Sequence, residues 1–187
     1  MVKTVVESKT KTAVLGFDHP FCVIGERINP TGRKKLAAEL EAGDFTTVEK
    51  DALAQVKAGA NILDINAGVV YNSNPNPNET EPPLMKKMID LVQGLTDIPL
   101  CIDSSVPEAL EMGLETAQGR PLLNSVTDED ERLEFVVKDP RSTTCFDAAF
   151  SFSTRLLLCV ERVLFFRRTM RCAVRGFLGS GIVSSSM

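Results

Sequence analysis

Residues 99–105 read Pro99-Leu100-Cys101-Ile102-Asp103-Ser104-Ser105, a short strand that ends in a carboxylate with no packing reason to be there. The same pattern recurs on both sides of it. Upstream, Ile62-Leu63-Asp64-Ile65-Asn66 is a second short strand with polar residues at its end. Further upstream, Phe21-Cys22-Val23-Ile24-Gly25 is a continuous apolar run, as expected of a parallel strand covered on both faces. The loop Glu26-Arg27-Ile28-Asn29-Pro30-Thr31-Gly32 follows it. Downstream, Pro121-Leu122-Leu123-Asn124-Ser125 gives a fourth strand, again closing on an amide.

Helical segments separate these strands. One runs from about Arg33 to Ala58, and its second section opens on Thr46-Thr47-Val48-Glu49, a capping-box pattern. Gly59 suits the left-handed turn just past its end. A turn-rich stretch, residues 71–78, precedes a helix expected from about Pro82 to Leu95. Ser105-Val106-Pro107-Glu108 is a second capping box with proline in the first turn, and Thr127-Asp128-Glu129-Asp130 opens a fourth helix. Ahead of all this, residues 2–7 and 11–16 alternate in the strand period and predict a small β-hairpin. Alternating strands and helices predict an α/β fold with a parallel sheet. A doubly wound sheet would carry functional residues only at its switch point, whereas a (β/α)8 barrel gathers every strand end at one mouth. Polar ends on all four strands favour the barrel, of which the first four βα units are present.

The totals, 43% hydrophobic and 25% charged residues with a net charge of −4, are those of a globular protein without a general nucleic-acid or membrane-surface footprint. No secretory signal and no membrane-spanning run is visible, and five cysteines without a CxxC pair suit a reducing compartment. A cytoplasmic location is expected. His19 is the single histidine, which excludes histidine triads and multi-histidine metal sites. Cys22 and Cys101 fall within strands and are expected in the core. The charge is unevenly spread: residues 1–137 hold 13 Lys+Arg against 22 Asp+Glu, while residues 138–187 hold 8 against 3. That switch predicts a boundary near residue 137. Beyond it lies an Arg- and Phe-rich tail that reads as foreign or out-of-frame sequence, or, over residues 156–168, as a cationic amphipathic helix.

A carboxylate and several carboxamides at one mouth suit a neutral heterocycle that presents N–H donors and ring acceptors, because Asp accepts paired hydrogen bonds and Asn both donates and accepts. Guanine-like and pterin rings carry such an edge. Asp and Asn also cap helices, but recurrence at four corresponding strand ends argues for more than capping. The motifs Gly25-Glu26-Arg27-Ile28-Asn29-Pro30-Thr31-Gly32, Leu63-Asp64-Ile65-Asn66-Ala67-Gly68, Cys101-Ile102-Asp103-Ser104-Ser105 and Leu123-Asn124-Ser125 occur in order at barrel spacing. Together they resemble the methyltetrahydrofolate:corrinoid methyltransferases and the folate module of cobalamin-dependent methionine synthase, over about residues 17–137.

The resemblance implies a pterin held at the C-terminal mouth of the barrel by Asp103 and Asn124, with Asn29, Asp64 and Asn66 lining the same mouth. It implies methyltetrahydrofolate as methyl donor, a corrinoid (cobalamin) on a partner protein as acceptor, and Asn124 as the residue that can follow a change in N5 protonation. It departs from the family after Val137, where the four remaining strands have no match. From that departure the chain as written is expected to aggregate, to dimerise or to remain a loosely packed monomer, and to transfer no methyl group at a useful rate. Two other readings stand beside the methyltransferase: a dihydropteroate synthase-like pterin enzyme, disfavoured by the Asn29-Pro30-Thr31-Gly32-Arg33-Lys34 loop, and a non-catalytic fragment.

Overall fold

Four short apolar segments, each too short to bury its own backbone polar groups, satisfy them by pairing side by side. In the computed structural model, which describes residues 3–69 and 75–124, these are β3 (Ile24–Ile28), β4 (Ile62–Asn66), β5 (Leu100–Asp103) and β6 (Leu122–Asn124). All three pairings are parallel, in the order β3-β4-β5-β6. Each strand therefore lies beside its predecessor, with no reversal of order. A doubly wound sheet needs such a reversal, so the sheet is singly wound, as in a barrel.

The helices α1 (Lys34–Glu41), α2 (Thr46–Lys57), α3 (Pro77–Leu95) and α4 (Pro107–Thr116) supply the connections. Strand alternation sends Leu63, Ile65, Leu100, Ile102 and Leu123 to the face the helices cover, where they pack with Leu36, Leu40, Val48, Met85, Met88, Ile89 and Leu110. The opposite face carries Ile62, Cys101 and Leu122. Those three are covered by Val6 and Ala13 from an antiparallel hairpin, β1 (Thr4–Glu7) with β2 (Thr12–Leu15). Reciprocal backbone bonds of 2.9 Å tie Glu7 to Arg120, just ahead of β6, so the hairpin sits at the N-terminal ends of the strands. Gly119 makes that approach possible. Its φ is +86°, and an added Cβ would lie 2.4 Å from the Glu7 carbonyl oxygen.

Several expectations need correction. The first parallel strand lies over Ile24–Ile28, later than the apolar run implied, and Phe21 is 78% exposed. Cys22 is accordingly only half-buried and precedes the strand, whereas Cys101 is buried in β5. Neither capping box forms. At α2 the cap residue is Phe45, and the Asp44 carboxylate accepts the Thr46 N–H at 2.9 Å and its hydroxyl at 2.7 Å instead. At α4 the cap is Val106, whose N–H donates to Ser104 Oγ at 2.9 Å. At α2 the upstream carboxylate satisfies the free N–H first, and at α4 the helix opens one residue later than the box requires. The third helix starts at Pro77, earlier than Pro82, because Asn76 accepts the Asn78 N–H and provides the cap. Gly59 does take the left-handed conformation (φ +94°), with the Gly59 and Ala60 N–H groups bonded to the Val56 and Gln55 carbonyls in a Schellman turn. The expected helix after Ser125 and the tail beyond residue 137 lie outside the described residues.

Candidate functional site

The register of β4, β5 and β6 sets three side chains in one row. Asn66 is paired with Asp103, and Asp103 with Asn124, each at the C-terminal end of its strand. By alternation they share the face of Ile62, Cys101 and Leu122, at the end opposite the hairpin. One row below, Asp64 is level with Cys101 and 4% exposed. Asn29 follows directly on β3 and, from the pairing of Ile28 with Ile65, stands level with Asn66.

Within this group Asn66 and Asp103 are in direct contact. Asn66 Nδ2 donates to Asp103 Oδ2 at 3.0 Å, while Asn66 Oδ1 accepts the Gly68 N–H at 2.9 Å. The two partners fix the amide orientation, since a backbone N–H requires the oxygen and a carboxylate requires the NH₂. Asn66 thus acts first as a clamp on Asp103. Asn29 Oδ1 accepts the Thr31 N–H at 2.9 Å, closing a local turn, so that oxygen shapes the first loop. Asn124 is exposed at the end of the row, and its backbone carbonyl accepts the Ser104 N–H at 2.9 Å.

Two groups near the row were missed by the sequence reading. Glu81, on the first turns of α3, is buried at 5% exposure, and Ser104 Oγ donates to its Oε1. Burial pushes the Glu81 carboxyl above its ordinary value; the Ser104 hydrogen bond opposes this, and the charge of Asp103 adds to it. Ser104 was visible in the IDSS motif, but Glu81 sits in a polar run whose inward face shows only once α3 starts at Pro77. The second group surrounds the first loop. Arg33 Nη1 lies 2.7 Å from Asp51 Oδ2, and Arg27 Nε lies 3.5 Å from Asp51 Oδ1. Asp51, on α2, therefore balances the guanidinium charge beside the mouth. Gly25 belongs to the same arrangement: Gln55 Oε1 accepts the Arg27 N–H at 2.8 Å, where a Cβ on residue 25 would approach that oxygen to 2.6 Å.

Among the described residues no cluster of three or more His, Cys, Asp or Glu side chains could hold a metal ion. None of their helices is long and apolar enough to cross a membrane. The row offers carboxylate and amide groups for hydrogen bonding at the strand ends.

A singly wound α/β sheet with its strand ends gathered at one side places the chain in the class of pterin-binding-type (β/α) barrels. The chain belongs to the pterin binding enzyme family, whose model matches residues 25–149. A methylcorrinoid:tetrahydrofolate methyltransferase of Eubacterium limosum is 32% identical over 118 residues, which is 62% of this chain and 40% of that protein. The chain thus spans less than half the length of this relative. Among solved structures, a dihydropteroate synthase of Xanthomonas albilineans is similar at 21% identity and a TM-score of 0.46, over 72% of this chain and 46% of that one. A 7,8-dihydropteroate synthase of Vibrio fischeri ES114 is similar at 19% identity and a TM-score of 0.41, over 72% and 45%.

Proposed function

We propose that the chain binds methyltetrahydrofolate and belongs to a protein that serves methyl transfer between its N5 and a corrinoid cobalt carried by a partner protein, in the cytoplasm, with the transfer itself impaired in the chain as written. The observation that carries this reading is the row of Asn66, Asp103 and Asn124, with the Asp103 carboxylate already oriented by the 3.0 Å bond from Asn66. An anionic Asp103 accepts N–H donors of the pterin edge, and Asn124 is the neighbour able to donate or accept at the ring. Asp64 and Asn29 complete the lining, the first from below and the second from the first loop. Family membership and the similarity to the Eubacterium limosum methyltransferase support the choice of reaction.

In the forward direction the methyl carbon leaves N5, which keeps the electron pair of the broken bond and takes up a proton. The new bond to carbon is made with the electron pair of cobalt(I). N5 is a poor leaving group unless positive charge on it is favoured, so the site contributes positioning and electrostatic stabilisation. The relative's name writes the transfer toward tetrahydrofolate, and one site serves both directions by microscopic reversibility.

Titration of the purified chain with methyltetrahydrofolate tests the reading, followed by methyl transfer to cob(I)alamin. Saturable binding that Asp103→Asn and Asn124→Ala weaken is the expected result. No binding, or condensation of a pterin pyrophosphate with 4-aminobenzoate instead of methyl transfer, would overturn it.

A further inference from the structure

We propose that Glu81 is a positioning residue for the mouth: by holding Ser104 it sets the end of β5, and with it the direction in which Asp103 presents its carboxylate. This rests on the reading of Asp103 as the pterin anchor.

The geometry runs through Ser104, which is 1% exposed and joins four elements. Its Oγ donates to Glu81 Oε1 on α3 and accepts the Val106 N–H that opens α4, at 2.9 Å. Its own N–H donates to the Asn124 carbonyl at the end of β6, at 2.9 Å. A serine hydroxyl has one proton to give. The alternative acceptor, the Val106 carbonyl, lies at 3.4 Å, a marginal distance. Glu81 is therefore the group that decides how the hydroxyl turns. Ser104 directly follows Asp103, so a shift of the backbone that this anchored side chain holds re-aims the neighbouring carboxylate.

Glu81 and Asp103 also sense each other. Asp103 is the charged residue whose field raises the Glu81 carboxyl, on top of the effect of burial. The two carboxylates thus stand close enough, across Ser104, for a change at one to be felt at the other. A buried carboxyl that served packing alone could be replaced by an apolar side chain with no consequence at Asp103. This one could not.

The test uses the full chain with Glu81→Gln, which keeps the acceptor for Ser104, and with Glu81→Leu and Ser104→Ala, which break the bond. Folding is checked by thermal unfolding. Carboxyl ¹³C resonances of Asp103 are followed through a pH titration, and methyltetrahydrofolate affinity is measured. A coupling of ordinary size between contacting groups corresponds to about a tenfold change, so Glu81→Leu and Ser104→Ala should weaken binding by about tenfold. Glu81→Gln should recover most of that loss, and all three should move the Asp103 resonance. In an Asp103→Asn background, Glu81→Leu should cost nothing further. Equal losses in the presence and absence of the Asp103 carboxylate, or an unmoved Asp103 resonance in folded Glu81→Leu, would overturn the proposal. If the wild-type chain does not bind methyltetrahydrofolate, the functional reading falls, and the ¹³C titration alone decides whether Glu81 governs Asp103.

Discussion

Asp103 is the residue on which the candidate site turns, and it can be tested by itself. Replacement by Asn keeps the shape but removes the charge of the acceptor. A hydrogen bond to a charged group contributes about 1.5–3 kcal/mol, so Asp103→Asn should weaken methyltetrahydrofolate binding by tenfold or more in a calorimetric titration. Asn66→Ala removes the amide that orients it and should cost less, about 1 kcal/mol as for one ordinary hydrogen bond. Glu81 makes a separate prediction about pH. Its carboxyl sits above the ordinary value of 4.5, so the folded chain holds that proton to higher pH than the unfolded chain does. The contribution is full below pH 4.5 and is lost as the pH rises through the folded value. Glu81→Gln should remove that decline. Urea midpoints compared from pH 4 upward should move in favour of the variant, and a constant difference would contradict the assignment.

The sequence disclosed this residue scale unevenly. Asp103, Asn124, Asp64 and Asn66 were legible because a polar side chain at the end of an apolar strand stands out against its neighbours. Glu81 was not, because an acidic residue just ahead of an expected helix looks like any other surface charge. Only the early start of α3, set by Asn76, turns it inward.

At the scale of elements, the local rules were right about type and less so about ends. The capping box at Thr46 failed because Asp44 reached its free N–H from two residues upstream, and at α4 the cap falls on Val106 rather than on Ser105. The first strand shifted because Phe21 and Val23, though apolar, are exposed ahead of β3, and its register changes between Gly25 and Ile28. An apolar run carries no mark of such a shift in register. The contact between the hairpin and the base of β6 yields a sharper prediction. Gly119→Ala forces a left-handed conformation on alanine and drives its Cβ toward two carbonyl oxygens, those of Glu7 and Ser8. A non-glycine residue held in such a region costs about 1–3 kcal/mol. The midpoint of thermal unfolding should fall by several degrees, while a neutral substitution would mean that the hairpin does not dock where described.

For the molecule as a whole, the barrel-type order of strands followed from polar ends that recur four times, and the sheet is singly wound as that argument required. The role of the hairpin did not follow from the sequence, since alternation predicts a hairpin without saying what it covers. Here it buries Ile62, Cys101 and Leu122 with Val6 and Ala13. Removing two apolar anchors by Val6→Ser with Ala13→Ser should therefore open the base while leaving the mouth intact. Mass-mapped labelling by a thiol reagent should then reach Cys101, which is 2% exposed, and pterin affinity should change by less than about threefold, within the additivity expected of distant sites. Protection of Cys101 in the double variant would show that something other than the hairpin covers it.

The backbone tie between Glu7 and Arg120 also bears on the order in which the chain folds. Each parallel strand needs only the one before it, so β3 to β6 can be added in sequence as they emerge, every step closing a short loop. The hairpin is made first and yet cannot dock until Arg120 is in place, a closure that spans nearly the whole described chain. Pairings of long reach carry the larger entropic cost and come late. Pulsed hydrogen exchange during refolding should protect the amides of Val6 and Ala13, which face each other across the hairpin, early, but those of Glu7 and Arg120 only with the final phase.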